Sequence, residues 1–173
     1  MSSSNTQRGL TISIVVLTML LVYTIAQRLQ EHVVTVGQSA PDFSITTEKG
    51  RTLSASNFGG KLLVLNFWAT WCPPCISETP SLSRFATQMA PSGVVVLAIS
   101  VDKNEKLYRD FLARHQPQFL TARDPEQKIN ADYGTVKFPE TYVINTSGKV
   151  VRKFINEQPW DSPDMINDIK SLL

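Results

Sequence analysis

Apolar residues are unevenly distributed along the chain, and the densest stretch lies near the N-terminus. Residues 9–27 form a run of 19 residues without a charged side chain, and 13 of the 17 residues from 10 to 26 are apolar. At 1.5 Å per residue, a helix of this length extends about 28 Å, close to the roughly 30 Å of a bilayer core. The hydroxyls of its four Thr and Ser residues can donate to helix carbonyls. The pattern therefore predicts a transmembrane helix at residues 10–27.

Two interpretations of this segment stay open: an uncleaved signal anchor, and a signal peptide cut near Thr24 and Ala26. The length of the run and the lack of a strong A-x-A motif favour the anchor, and a core helix of a soluble protein is a weaker alternative. We expect a short cytoplasmic tail at 1–9, the anchor at 10–27, a linker at 28–35 and a domain at 36–173. A short N-terminal tail before a large domain favours a single-pass protein whose domain lies on the exported side. We expect it in the inner membrane, with the domain facing the periplasm or extracytoplasmic side.

After the apolar segment, short apolar runs alternate with stretches of helical spacing. Residues 62–67 and 94–100 are nearly continuous apolar runs, typical of strands buried on both faces of a sheet. Two hairpins are predicted, at 43–46 with 51–53 and at 141–145 with 149–155. Helices are predicted at 72–89, 103–115, 124–133 and 162–173, the third capped at Asp124 and the last at Ser162. This order predicts an α/β fold with a mixed central β-sheet flanked by helices.

Composition and charge narrow the classes of protein that remain. The chain has 173 residues, of which 42% are hydrophobic and 18% are charged, with a net charge of +2. This balance excludes a wholly disordered chain and a strongly basic nucleic-acid binder, so no nucleic-acid partner is expected. Two cysteines and two histidines are too few for most multi-ligand metal frameworks. We expect neither a metal nor a cofactor.

Both cysteines lie in the motif Cys72-Pro73-Pro74-Cys75, where a buried strand ends and a helix begins. Unpaired backbone N–H groups and the helix dipole favour a thiolate at a helix N-terminus. Cys72 is therefore expected to be the accessible attacking nucleophile, and Cys75, one turn further, the thiol that resolves a mixed disulfide. The two prolines suit the first helical turn but remove two amide donors. The first available amides are those of Cys75 and Ile76, so the pKa of Cys72 is expected to be lowered without being extreme.

Other readings of the motif have less support. A zinc site needs about four ligands, and His32 and His115 are distant in sequence. A c-type haem site needs a histidine directly after the second cysteine, where this chain has Ile76. A purely structural disulfide stays open, although closing a four-residue loop restrains little of the unfolded chain.

The motifs together resemble the thioredoxin superfamily, and within it the TlpA/ResA-like proteins, with kinship to CcmG/DsbE. The resemblance covers most of residues 36–173. Its motifs are Gly37-x-x-Ala40-Pro41-Asp42-Phe43, Gly60-Lys61, the run from Leu65 through Trp68-Ala69-Thr70-Trp71 to Cys75, Tyr133-Gly134, Phe138-Pro139-Glu140-Thr141 and Gly148-Lys149. The resemblance implies a thioredoxin-like fold with an N-terminal β-hairpin extension, a membrane anchor and a redox-active Cys72–Cys75 disulfide.

The same resemblance assigns roles to further residues. It implies a cis Phe138–Pro139 peptide that faces the cysteines and leaves the backbone of residue 138 free to pair with a substrate peptide. Trp71 and Glu140 complete the implied substrate-binding set, with Glu140 either adding negative potential or being a plain strand-edge residue. Glu78, three residues after Cys75, is implied as the catalytic proton carrier, and burial would raise its pKa. A solvated Glu78 on the helix surface is the alternative.

The resemblance implies a thiol–disulfide oxidoreductase that reduces disulfides of exported partner proteins. Apocytochrome c is the candidate substrate, and a membrane thiol–disulfide carrier is the expected electron donor. Two alternatives remain. A thiol peroxidase is suggested by residues 40–43, although Thr70 lies two residues before Cys72 rather than three. The other is a redox-inert binding or assembly module that uses the groove beside Pro139.

Overall fold

The computed structural model of the protein describes residues 3–29 and 33–173, which belong to two compact units, Met1–His32 and Val33–Leu173. The first unit is a single helix, α1, at Ser3–Leu29. The window Gln7–Thr24 is long and apolar enough to cross a membrane, and its side chains are exposed, unlike those of a core helix. The four Thr and Ser hydroxyls in this window donate to carbonyls three or four residues earlier, at 2.8–3.0 Å, as expected.

The second unit contains a five-stranded mixed sheet and a separate two-stranded hairpin. The strands are β1 Ile45–Thr46, β2 Thr52–Leu53, β3 Leu62–Trp68, β4 Val94–Ser100, β5 Leu120–Arg123, β6 Glu140–Asn145 and β7 Val150–Ile155. The sheet order is β5-β4-β3-β6-β7, with β3, β4 and β5 parallel and β6 and β7 antiparallel to their neighbours. The expected parallel central pair and both hairpins are confirmed.

Two helices of this unit begin directly after a polar residue whose side chain caps them. The helices of the unit are α2 Pro73–Met89, α3 Glu105–His115, α4 Lys128–Asp132 and α5 Pro163–Lys170, with a short 3-10 helix at Ala90–Ser92. The side chain of Asn104 accepts the amide of Leu107 at 3.2 Å, and that of Ser162 accepts the amide of Met165 at 3.3 Å. These bonds satisfy amides that have no partner within the helix.

Two predictions about this unit need correction. The helix expected at 124–133 is only α4, because residues 124–127 form a turn that ends with Gln127 in the left-handed region at φ 58°. The Asp124 carboxylate still accepts an amide of the first turn of α4, that of Ile129, at 2.7 Å. Strand β5 was not predicted, since its four residues contain no apolar run.

Side chains from the two faces of the central strands form two hydrophobic clusters. Every residue of β3 is buried. Leu62 and Val64 pack in a cluster with side chains of α2, α3 and α5, whereas Leu65 and Phe67 pack with the N-terminal hairpin. Burying each such large side chain stabilises the fold by about 1.5–3 kcal/mol. This two-sided burial fixes the end of β3, from which the Cys72-Pro73-Pro74-Cys75 motif follows.

Part of the expected linker at 28–35 belongs to the folded unit. Residues 30–32 lie outside the described residues. Val34 is fully buried, its amide donates to the Tyr133 carbonyl at 3.1 Å, and its own carbonyl accepts from Lys153 Nζ at 3.0 Å. The ordered unit therefore includes residues before position 36.

Candidate active site

The two cysteines lie where the sequence places them, after β3 and at the start of α2. Cys72 is the N-cap of α2, with extended backbone angles of φ −101° and ψ 101°, and Pro73 and Pro74 occupy the first helical positions. The Sγ atoms of Cys72 and Cys75 form a disulfide. Cys72 Sγ also accepts the Cys75 amide at 3.3 Å. The site thus combines a redox-active sulfur pair with a helix N-terminus.

Two details differ from the expectations for these cysteines. The Ile76 amide does not point at the sulfur but donates to the Cys72 carbonyl at 3.1 Å, which leaves one amide on Cys72 Sγ. Cys72 was expected to be accessible, yet it is only 5% exposed, against 2% for Cys75. The reason is that the disulfide holds the Cys72 sulfur against an interior residue, within the cluster that includes Trp68. Cys72 is nevertheless the more exposed of the two.

The loop before Cys72 is anchored by a buried carboxylate that the sequence reasoning did not single out. Asp102, two residues after the end of β4, accepts hydrogen bonds from the Thr70 amide at 2.9 Å and the Thr70 hydroxyl at 2.7 Å. Ser100 donates its hydroxyl to the same carboxylate at 2.6 Å. Because Thr70 lies two residues before Cys72, these bonds hold the sulfur-bearing turn against the parallel strand β4.

The implied substrate-binding residues Trp71 and Phe138 come together beside the cysteines. Their rings meet edge to face, with centroids 5.9 Å apart and planes at 82°. Trp71 is 62% exposed, so this aromatic surface is open to a partner. The Phe138–Pro139 peptide is cis, as the resemblance implied. The Pro139 carbonyl accepts the Asn156 amide at 2.9 Å.

Glu140, the next residue, is neither an exposed strand-edge side chain nor an unpaired charge. It is buried, and its Oε1 lies 2.7 Å from Lys153 Nζ. Lys153 also lies over the Tyr142 ring, 4.9 Å from the centroid. Lys153 therefore compensates the negative charge of Glu140 within the sheet, which weakens any effect of that charge on the cysteines.

Glu78 is buried on α2, three residues after Cys75, rather than solvated on the helix surface. Its Oε1 accepts from Asn66 Nδ2 at 2.9 Å, and its Oε2 accepts from the Gln158 amide at 3.1 Å and from Trp160 Nε1 at 3.0 Å. Burial raises the pKa of Glu78 from 4.5 to about 7, because the three hydrogen bonds offset only part of the cost of removing the charge from water. A group with this pKa can exchange a proton near neutral pH.

Asn66 connects this carboxyl to the strand that follows Pro139. Its Nδ2 also donates to Thr141 Oγ1 at 2.9 Å. Gln158 and Trp160, by contrast, were missed by sequence reasoning, since they lie 80 and 82 residues from Glu78 in a loop without a motif. A buried carboxylate requires hydrogen-bond donors, so burial of Glu78 would indicate that it has some. The sequence did not indicate which residues would supply them.

Within the described residues, no group of three or more His, Cys, Asp or Glu side chains is arranged to hold a metal ion. His115 stacks on Phe111 with ring centroids 4.2 Å apart.

A mixed sheet with a Cys-x-x-Cys disulfide at the start of α2 and a cis-proline before β6 defines a thioredoxin-like thiol–disulfide oxidoreductase. Comparison with known proteins agrees. The chain belongs to the AhpC/TSA family, whose model matches residues 36–153.

Individual relatives are named as thiol–disulfide oxidoreductases or thioredoxin-like proteins. The chain is 33% identical over 123 residues to the thiol-disulfide oxidoreductase ResA of Bacillus anthracis, covering 71% of each chain. It is 38% identical over 116 residues to the thioredoxin-like protein YneN of Bacillus subtilis, covering 66% of this chain and 68% of YneN. A thiol:disulfide interchange protein DsbE from Chlorobium tepidum has a similar crystal structure, with a TM-score of 0.73 and 27% identity over 80% of this chain and 98% of that chain. The chain acts as a thiol–disulfide oxidoreductase through Cys72 and Cys75.

Proposed function

We propose that the protein is a membrane-anchored, extracytoplasmic reductase of disulfides in partner proteins. The observation that carries the proposal is the position of Cys72 Sγ at the N-terminus of α2, where it accepts an amide, with a buried carboxyl one turn beyond Cys75. The helix N-terminus favours the thiolate, and the carboxyl has a pKa of about 7. Both properties suit dithiol–disulfide exchange near neutral pH.

The exchange begins with the reduced protein. The Cys72 thiolate attacks one sulfur of the partner's disulfide, which forms a mixed disulfide and releases the other partner sulfur as a thiolate. Glu78 then takes the proton of the Cys75 thiol, and the Cys75 thiolate attacks Cys72 Sγ. The Cys72–Cys75 disulfide forms, the second partner sulfur leaves as a thiolate, and water protonates the released thiolates. Two electrons thus pass from the cysteine pair to the partner.

The exposed Trp71–Phe138 pair is the docking surface in this scheme. An apolar segment beside the partner's disulfide would cover the two rings. The backbone of residue 138 would pair with that segment. We extend the proposal to apocytochrome c as substrate, because its haem-attachment motif is itself a C-x-x-C pair that must be reduced before haem binds.

Anchoring by α1 would raise the effective concentration of partners held at the same membrane, including the thiol carrier that returns electrons. The length and composition of Gln7–Thr24 support this part of the proposal. Cell fractionation and protease protection test it: we expect the intact chain in the membrane fraction and residues 33–173 accessible only from the exported side. If the mature chain lacks the apolar segment, that segment is a cleaved signal peptide and not an anchor.

Trapping tests the exchange mechanism itself. Cys75→Ala removes the resolving thiol, so partner proteins should accumulate as mixed disulfides on Cys72 and be identified by mass after non-reducing separation. Cys72→Ala is the matched control and should trap none of these partners. Trapping of the same set by both variants would contradict the assignment of the attacking sulfur. Peroxide consumption by the reduced chain, measured in parallel, distinguishes the thiol peroxidase alternative.

A further inference from the structure

The loop between β7 and α5 supplies hydrogen-bond donors to Glu78, the proposed proton acceptor, although it lies about 80 residues later in the chain. Trp160 in this loop is fully buried, and its Nε1 donates to Glu78 Oε2 at 3.0 Å. Its ring contacts those of Phe85 in α2 and Phe154 in β7, at centroid distances of 5.5 Å and 5.4 Å. Contacts with two aromatic rings and full burial restrict the direction of the indole N–H, so this donor is held in place.

The donors around Glu78 are arranged for an ionised carboxyl. Asn66 donates to one oxygen, and Trp160 and the Gln158 amide donate to the other. An ionised carboxylate can accept all of these hydrogen bonds. A protonated carboxyl carries a hydrogen on one oxygen, and this hydrogen would face the surrounding donors. Burial favours the protonated form and the donors favour the ionised form, so each donor sets how readily the group accepts and releases a proton.

We propose that Trp160 is a positioning residue for proton transfer in disulfide exchange: its indole N–H orients the Glu78 carboxyl and stabilises the ionised form that accepts the Cys75 proton. This inference rests on the proposed role of Glu78 and adds a residue that lies 85 positions after Cys75 to the same step. The ring contacts make Trp160 suited to the task, because a flexible donor would lose more entropy when it is ordered.

The charged groups near Glu78 in the described structure are few. Glu157 raises the pKa of Glu78 through its charge. Asp161 lines the same surface groove as Glu78 and Glu157, and it is paired with Arg84 at 2.6 Å. Cys75, on the same face of α2, titrates when the disulfide is reduced. The replacements at position 160 keep all of these charged groups, and the indole N–H is the polar group near Glu78 that they remove.

The test is a titration of Glu78 in the full chain, oxidised and in detergent micelles, by NMR of ¹³C-labelled glutamate carboxyls. Glu78→Gln identifies the signal. In Trp160→Phe the loss of one hydrogen bond to a charged group should raise the pKa of Glu78 by roughly one to two pH units. Benzothienylalanine at position 160 keeps the shape of indole without its N–H, and it serves if the phenyl ring leaves a space that destabilises the fold.

Trp68→Phe is the matched control. Trp68 lies in the same hydrophobic cluster and also carries a buried indole N–H, but that N–H has no hydrogen-bond partner in the described structure. The control should leave the titration of Glu78 at the wild-type position. An unchanged or lowered pKa of Glu78 in both replacements at position 160, or an equal rise in Trp68→Phe, would overturn the inference.

A second readout separates this inference from the proposed function. The rate at which the reduced chain reduces a small aromatic disulfide is measured against pH for wild type, Trp160→Phe, Glu78→Gln and the double variant. We expect Trp160→Phe to move the profile to higher pH in the wild-type background and to have no such effect beside Glu78→Gln. If Glu78→Gln leaves the profile unchanged, the proton step of the proposed function fails. If Glu78→Gln changes the profile and Trp160→Phe does not, only the role of Trp160 fails.

Discussion

Replacement of Glu78 by glutamine should change how the stability of the oxidised protein depends on pH. The pKa of this carboxyl rises from 4.5 in the unfolded chain to about 7 in the folded one. A raised folded-state pKa means that the folded chain holds the proton more tightly. The group therefore destabilises the fold least below pH 4.5, and the penalty grows as pH rises until it is complete above pH 7.

The magnitude follows from the difference between the two pKa values. A rise of about 2.5 pH units, at 1.36 kcal/mol for each, corresponds to about 3 kcal/mol of unfolding free energy between pH 4 and pH 8. Only 4% of Glu78 is exposed, so solvent screens this effect little. Glutamine replaces one acceptor oxygen by an amide group that faces the donors around position 78, which has a cost of its own. Because glutamine does not ionise, this cost is the same at both pH values.

Urea unfolding of the oxidised full chain in mild detergent, followed by tryptophan fluorescence, measures this effect. Wild type should lose about 3 kcal/mol relative to Glu78→Gln when the pH is raised from 4 to 8. Other titrating groups contribute equally to both proteins and cancel in the difference. A difference between the two proteins that stays constant to within about 0.5 kcal/mol over this range would refute the argument that burial raises the pKa of Glu78.

Three further predictions concern stability and the geometry of the site. Lys153→Met leaves the buried Glu140 carboxylate without its partner, so urea unfolding should show an unfolding free energy lower by about 3–5 kcal/mol. Adding Glu140→Gln should recover most of this loss. A loss below about 1 kcal/mol in Lys153→Met would contradict the prediction. Asp102→Ala leaves the Thr70 amide and hydroxyl without acceptors and should cost about 1–3 kcal/mol and slow disulfide exchange, whereas unchanged kinetics would mean that this anchor does not matter. Leu65→Ala should cost about 2–5 kcal/mol in the same unfolding assay and leave the exchange rate of the folded protein unaltered.

The parts of the fold that the sequence predicted are those where a local pattern has one physical cause. The runs at 62–67 and 94–100 are continuously apolar because β3 and β4 are covered on both faces. The Cys-x-x-Cys site was predictable for a similar reason, since the end of a buried strand and prolines suited to a first helical turn are adjacent in the chain.

Predictions failed where long-range contacts decide the structure. Asp124 does accept an amide of the helix that follows, but it does so across a turn, so its capping signal placed the helix start too early. Strand β5 pairs with β4 and contributes only Leu120 and Ala122 to a hydrophobic cluster, which is too few for a recognisable apolar run. Burial of Glu78 was one of two interpretations that the sequence left open. Its donors Gln158 and Trp160 come from the other end of the domain, where no spacing reveals them.

The central claim is that the start of α2 makes Cys72 an ionisable and reactive sulfur. The most direct measurement is the rate at which iodoacetamide alkylates Cys72 in the reduced Cys75→Ala chain, as a function of pH. We predict that thiolate formation at Cys72 has its midpoint well below the value of about 8.5 of a free cysteine. A midpoint at or above that value, in a variant shown to be folded, would contradict the account.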